Sequence, residues 1–267
     1  MPMPTPNTTS SAITITYVGG PTAVIEICGM RFLTDPTFDA PGPYRSGSVA
    51  LEKTEGPAMS VAEVGRIDLV LLSHDQHPDN LDREGRALVG RVPTLTTPAG
   101  AARLGAPAIG LAPWESQTFT AAGGCRLVVT ATPARHGPAG IEPISGDVTG
   151  FVVSAVDPPQ DLIYISGDTV WFGGTAEIAR RFSPVAVLLF TGAARTRGAF
   201  HLTADSNDAV EFATAFADAT IVPVHHAGWA HYSESQADLL RTFEVLRLTE
   251  RVRPVQPAAT VTVPLPR

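Results

Sequence analysis

Cysteine is scarce in this 267-residue chain: only Cys28 and Cys125 occur, far apart in sequence and outside any CxxC pair. That excludes a disulfide framework and a thiolate-built zinc site, and both thiols read as small buried hydrophobes suited to a reducing cytosol. Long apolar runs are missing as well. No run of about 18 apolar residues is present to span a bilayer, and the opening "MPMPTPNTTSSA" has neither the basic nor the apolar region of a signal peptide. Residues 1–12 therefore read as a flexible tail, a membrane is excluded as partner, and the expected location is cytoplasmic. Positive charge is short too: 19 Lys and Arg face 26 Asp and Glu, a formal net charge of -7, with no basic cluster interleaved with aromatics. Nothing there would track a phosphate backbone, so nucleic acid is also excluded.

What is present is a large apolar complement, 44% of the residues, enough to bury a substantial core. From Ile13, "ITITYVGGPTAVIEICGMRFLTDP" alternates β-branched and small residues and is broken by Gly19-Gly20-Pro21 and by Gly29. That is the pattern of three short strands joined by tight turns. Residues 38–60 hold turn formers and little periodicity, which predicts a long loop and a candidate wall over a site. "RIDLVLLSH" is an apolar run suited to a buried strand, and "NLDREGRALVGRV" after it has helical spacing at Leu81, Ala87 and Leu88. "TLTTP" and "GAARLGA" repeat strand and short helix. Further strands are expected at "CRLVVTATPARHG", "GFVVSAV", "DLIYISGDT", "PVAVLLFTG" and "TIVPVHHAG", and helices at "TADSNDAVEFATAFA" and "SESQADLLRTFEVLR". No linker or repeat divides the series, so residues 13–267 read as one mixed α and β domain.

Residues able to hold a metal recur just after these strands: His74, His77 and Asp79 after the 68–72 run, His136 after "VVTATP", Asp168 after "IYISG", and His225 after "IVPV". A lone His at a strand end is more often a hydrogen-bonding loop residue, and Asp168 in "SGDT" could simply cap a turn. Recurrence at the ends of four separate strands exceeds what turns require. Strand ends of a sheet share a rim, so the six side chains can converge there, and imidazole with carboxylate suits zinc, with manganese or iron as other candidates.

The order "GGPTAVIEICGMRFLTDPTF", "LLSHDQHPDNLD", "PARHG", "ISGDT", "VPVHH" resembles the metallo-β-lactamase superfamily, in particular its ascorbate-lactonase-like and phospholipase-D-like hydrolases. The resemblance covers roughly residues 13–232. It implies an α+β fold, the four-layer αβ/βα sandwich, with metal at the edge between two packed sheets. It also implies that Asp35 in "LTDP" lies in the shell beneath the site, and that His136, Asp168 and His225 match the later ligand motifs. The family's usual HxHxDH is altered here to His74-Asp75-Gln76-His77-Pro78-Asp79-Asn80. Matching from the left places Gln76 in the second ligand slot. Matching from the right places Asp75 and Asn80 where His would be. A third arrangement, which we favour, has one inserted residue, so that His74 and His77 both face the metal with His136. Asp79 then bridges or acts as general base, with Asp168 and His225 on the side of a second metal. Lacking a His at Asn80, the site could hold one ion or two. Gly19-Gly20 stands where relatives often carry a further His.

The expected function is a metal-dependent hydrolase that attacks a small ester, lactone or phosphodiester with water activated by the ion, with Asp79 as the catalytic residue. Around the site we expect Trp171 and Phe172, and as substrate contacts Arg195, His201, Trp229 and His231, with Arg195 suited to a carboxylate or phosphate. The competing reading is a metal-poor superfamily member that binds a small ligand or a protein partner without chemistry; Gln76 and Asn80 favour it, while His136, Asp168 and His225 oppose it. An oxygen-binding iron protein is disfavoured because no flavodoxin-like domain is attached. The partner expected is a small-molecule substrate, and no feature of the pattern encodes an oligomeric state.

Overall fold

A computed structural model describes residues 12–266; the expected tail at residues 1–12 lies, but for Ala12, outside the described residues. The chain opens with the three expected strands, β1 (Ala12–Gly19), β2 (Thr22–Ile27) and β3 (Met30–Thr34). Next come β4 (Gly42–Ser46) and β5 (Val49–Lys53), helix α1 (Val61–Val64), strand β6 (Leu69–Leu71) and helix α2 (Arg83–Val89). Then β7 (Thr94–Thr96), α3 (Pro98–Leu104) and β8 (Ala108–Gly110) complete the first half. The second half holds β9 (Ser116–Thr120), β10 (Arg126–Pro133), α4 (Glu142–Ser145), β11 (Thr149–Ala155), β12 (Gln160–Ile165) and α5 (Gly173–Arg181). It continues with β13 (Ala186–Phe190), α6 (Ser206–Ala215), β14 (Thr220–Val224), α7 (Gln236–Val245) and β15 (Thr260–Pro264).

The strands form a seven-stranded sheet, ordered β15-β1-β2-β3-β6-β7-β8, and a six-stranded sheet, ordered β14-β13-β12-β11-β10-β9. Side-chain alternation dictates how they stack. In β1 and β2, Ile13, Ile15, Tyr17, Ile25 and Ile27 face the other sheet, where Val129, Phe151, Val153, Leu188 and Phe190 meet them in the central core. The opposite faces are apolar as well. Val24, Leu33, Val70 and Leu72 pack under Val64, Leu88 and Val89 of α1 and α2. Val187 and Leu189 of β13 pack under Ile178, Phe212 and Phe243 of α5, α6 and α7. This gives the four layers, helix on sheet on sheet on helix. It also explains why β13 is apolar at every position: both of its faces are covered.

The segment 38–60, expected to be a loop, carries the two-stranded ribbon β4–β5. Its residues alternate between exposed positions and half-buried or buried ones because only one face has anything to rest on. The ribbon is anchored by Lys53, a buried cation whose Nζ lies 3.3 Å from Asp82 Oδ2. Asp82 also caps α2 through the Gly85 N–H at 2.9 Å and accepts from the Asp39 N–H at 2.6 Å. Cys28 and Cys125 are free and half-buried rather than fully buried, packed against the end of the central core. Among the described residues, no helix is long and apolar enough to cross a membrane.

Candidate metal centre

Strands β3 and β6 run parallel in one sheet, and β12, β13 and β14 run parallel in the other. The loops leaving β3, β6, β12 and β14 carry Asp35, His74 to Asn80, Asp168 and His225, and the loop after β10 carries His136. The six expected ligands fall into two groups, His74 with His77 and His136, and Asp79 with Asp168 and His225; within each, one ligand atom per residue lies within 4.8 Å of the others.

Within the altered motif two side chains, Asp75 and Gln76, point away from the imidazole group. Asp75 pairs with Arg103 of α3, accepting from Nε at 2.9 Å. Gln76 lies against Gly146, where an added Cβ would stand 2.2 Å from its amide nitrogen, so a side chain at 146 would evict it. His74 and His77 are left facing inward. His74 Nε2 is 2.8 Å from His77 Nδ1, and His136 Nε2 is 3.2 Å from the same atom. The opposite ring nitrogens are occupied: His74 Nδ1 meets Ser73 Oγ at 2.9 Å, and His136 Nδ1 meets the Leu202 carbonyl at 2.9 Å. These partners assign the proton to Nδ1 in both rings and leave the Nε2 lone pairs converging.

Asp35 lies directly beneath. Its carboxylate accepts from the Ser73 N–H at 2.6 Å, from the Ser73 hydroxyl, and from Asn80 Nδ2 at 2.9 Å. Asn80 Nδ2 also donates to Asp168 Oδ1 at 3.1 Å, so the amide at the altered motif position ties two carboxylates together. Asp168 spans both groups, with Oδ2 at 3.7 Å from His136 Nε2 and Oδ1 at 3.6 Å from His225 Nε2. Its placement depends on Gly167, whose φ of +60° and lack of a Cβ let the backbone pass Thr149 and Ser73; an added Cβ would lie 2.5 Å from the Thr149 carbonyl oxygen. His225 itself adopts a left-handed φ of 64°.

The electrostatics of the site match a cation. Burial pushes His225 down to about 4 and lowers His74, His77 and His136 as well, so these imidazoles are neutral with lone pairs available. Burial pushes Asp35 and Asp168 up to about 7. Burial also works against ionised Asp79, but the hydrogen bond with His231 outweighs it and holds the carboxyl below its ordinary value. Asp168 Oδ2 is buried without a hydrogen-bond donor. Neutral imidazoles, clustered carboxylates and an orphaned acceptor form a donor set that a divalent ion fits.

Over this floor lies a narrow cleft walled by Val49 and Leu51 of the ribbon and by Ile141, Ala194 and Leu202, with His77, Asp79, His136 and His231 at its base and Arg197 at its side. The expected surrounding residues divide. His231 lines the cleft, its Nε2 3.0 Å from Asp79 Oδ2. Arg195 faces a separate outer groove beside Tyr44 and Glu52. His201 turns away to Asp208 at 3.1 Å and Asp205 at 3.6 Å. Trp229 packs behind the ribbon against Tyr44 and Lys53. Trp171 packs edge-on against Phe212 in the helical layer, and Phe172 lies under Arg135. These aromatic and arginine positions follow strand ends too, but their elements lead into the outer layers. Two residues escaped sequence reasoning. Arg197 is one of two arginines in "ARTRG", and pattern does not distinguish them; Tyr232, whose hydroxyl is 3.0 Å from His225 Nε2, lies beyond the last motif.

The fold and site together define a metallo-β-lactamase-type domain, and comparison with known proteins places the chain within that group. The family described as the beta-lactamase superfamily domain matches residues 30–226, and the chain belongs to it. An uncharacterized protein of Mycobacterium tuberculosis is 30% identical over 194 residues, 69% of this chain and 50% of its own length. The chain thus spans about half the length of the curated relatives it matches first. A protein of Caldivirga maquilingensis described as a UPF0173 metal-dependent hydrolase is 24% identical over 257 residues, covering 93% of this chain and 97% of its own. Among solved structures, an isothiocyanate hydrolase from Delia radicum gut bacteria superposes with a TM-score of 0.78 at 22% identity, covering 93% of this chain and 98% of that one.

Proposed function

We propose that the protein is a metal-dependent hydrolase of a small ester, lactone or phosphodiester. One observation carries this reading: two groups of candidate ligand atoms, His74/His77/His136 and Asp79/Asp168/His225, each reach a single cleft through residues that line it, His77 and His136 from the first and Asp79 from the second. The described activities of the Caldivirga protein and of the isothiocyanate hydrolase agree in reaction type. The two groups would each hold one ion, zinc best matching the donor set, with manganese and iron as other candidates. A bound ion would supply activation of water and polarisation of the bond to be cleaved.

The chain's own residues do the rest. Asp79, at the base of the cleft, accepts the proton of the attacking water. Asp35, through Ser73 and Asn80, holds His74 and Asp168 in place. Val49, Leu51, Ile141 and Leu202 form apolar walls that exclude bulk water from the reacting group. Arg197 at the side of the cleft pairs with an anionic substituent of the substrate.

The test is reconstitution. Protein stripped with a chelator and reloaded with zinc, manganese or iron should recover hydrolysis of a p-nitrophenyl ester, a γ-lactone or bis(p-nitrophenyl) phosphate. Asn80 favours the second reading, a binding protein without chemistry. Metal content below about a tenth of an ion per chain after reloading, with all three substrates untouched, would decide for that reading.

A further inference from the structure

The second group of donors is incomplete as it stands. Asp79, Asp168 and His225 supply three ligand atoms. Asn80, the next side chain in the group, presents its N–H₂ to Asp35 and Asp168, leaving no lone pair on that side. Yet a further imidazole already touches the group. His231 Nε2 lies 3.0 Å from Asp79 Oδ2, its side chain is 8% exposed, and its Nδ1 is buried with no partner.

The spacings within the group are near those of ligands around one small ion, and His231 stands at its edge beside Asp79. Four donors at about 2.0–2.1 Å from a tetrahedral zinc stand roughly 3.3 Å apart. The three ligand atoms of the group have edges of 3.6 Å from His225 to Asp168 and 4.0 Å from His225 to Asp79, and His231 joins them through Asp79 at 3.0 Å, while its separation from Asp168 exceeds 4.0 Å and would have to close on an ion. The first group has edges of 2.8 and 3.2 Å. The backbone around His231 is pinned rather than free: its carbonyl accepts from the Arg195 N–H at 2.9 Å, and the Ala230 N–H donates to Glu52 of β5 at 3.0 Å. Those bonds hold the imidazole over Asp79.

We propose that His231 completes the second metal position as its fourth protein ligand, with Asp79, Asp168 and His225, in the place that Asn80 does not fill. The inference rests on the metal reading of the site given above. It makes the centre a two-ion centre in spite of the altered motif, and it turns the segment after β14 into a source of two ligands, His225 and His231. To ligate, His231 would give up the Nε2 proton it now directs at Asp79 and carry its hydrogen on Nδ1; an imidazole nitrogen is then a better zinc ligand than the nearby Tyr232 phenol, whose oxygen is a weak donor while protonated.

Metal content separates the alternatives without any assay of turnover. Purified protein reloaded with zinc and dialysed should hold two ions per chain. His231→Ala and His231→Gln should each hold one, with far-ultraviolet circular dichroism unchanged, and Tyr232→Phe should keep two. In the His231→Ala background, Asn80→His should restore the second ion, and cobalt substitution should show two sets of d–d bands in wild type and one in His231→Ala. Two ions in both His231 variants would reduce His231 to a hydrogen-bond partner of Asp79 and overturn the proposal, as would loss of an ion in Tyr232→Phe but not in His231→Ala. One ion in the wild-type protein would overturn it while leaving the hydrolase reading intact; none would remove the metal reading of the whole site.

Discussion

Asp35 shows how much a single carboxylate beneath a site can govern. It takes three hydrogen bonds, two from Ser73 and one from Asn80, and Ser73 in turn orients His74. Asp35→Ala orphans buried donors at about 1–3 kcal/mol each. Loss of such outer partners commonly weakens metal binding by roughly 10–100-fold. Zinc titration and thermal melting of the variant should show both effects; unchanged affinity would mean that His74 is held by packing alone. Asp79→Asn separates chemistry from binding: turnover should vanish while at least the ion held by His74, His77 and His136 stays, and wild-type turnover in that variant would remove Asp79 as base. At this scale the sequence was informative but ambiguous. The six candidate positions that the structure gathers could be picked out because each follows a strand, whereas the register of His74 to Asn80 could not. It depends on where Asp75 and Gln76 point, and that is set by Arg103 and Gly146, partners distant in sequence.

At the scale of elements, the β4–β5 ribbon forms one wall of the cleft, and its attachment runs through Lys53 and Asp82. Asp82→Ala leaves Lys53 as an uncompensated buried cation and removes the cap of α2, a loss of about 3–5 kcal/mol. Urea denaturation should report it, and limited proteolysis should find new cleavage within 42–53. A change below about 1 kcal/mol would mean that Trp229, stacked near the Lys53 ammonium at 5.7 Å, suffices to hold the ribbon. The ribbon was not legible as strands because Gly, Pro and Ser dominate 41–48 and only one face packs. Helix α6 carries a milder prediction. His201 braces its first turn through Asp208, whose hydrogen bond raises the imidazole above its ordinary value. A raised folded value means that the pair contributes stability fully below the unfolded value, about 6.5, and loses it as pH rises through the folded one. The stability difference between wild type and His201→Gln, of order 0–1 kcal/mol, should therefore be largest in mild acid and vanish in alkali. A difference independent of pH would point to packing instead.

Over the whole molecule, the buried imidazoles and carboxylates of the rim are a set that the folded chain tolerates best with a cation among them. Ligand binding to the folded state alone stabilises by about 2.7 kcal/mol at a hundredfold excess over the dissociation constant. For a chain of this size that corresponds to roughly 5–10 °C, so chelation should lower the melting temperature by that amount and added zinc should restore it. A melting temperature indifferent to both would contradict the metal reading. The layered architecture was legible at this scale through the apolar runs and the order of motifs. The exceptions were short strands such as β8 and β15, which depend on pairing with distant partners rather than on their own composition.

The donors come from both halves of the chain: His74, His77 and Asp79 follow a strand of one sheet, and His136, Asp168 and His225 follow strands of the other. Neither half can assemble either group's full complement before the sheets have docked face to face. An ion held at the proposed centre would therefore be captured only after the sheets dock. It would act as a rivet through the seam, set once the two plates are aligned, so metal content of freshly synthesised protein would report completed folding.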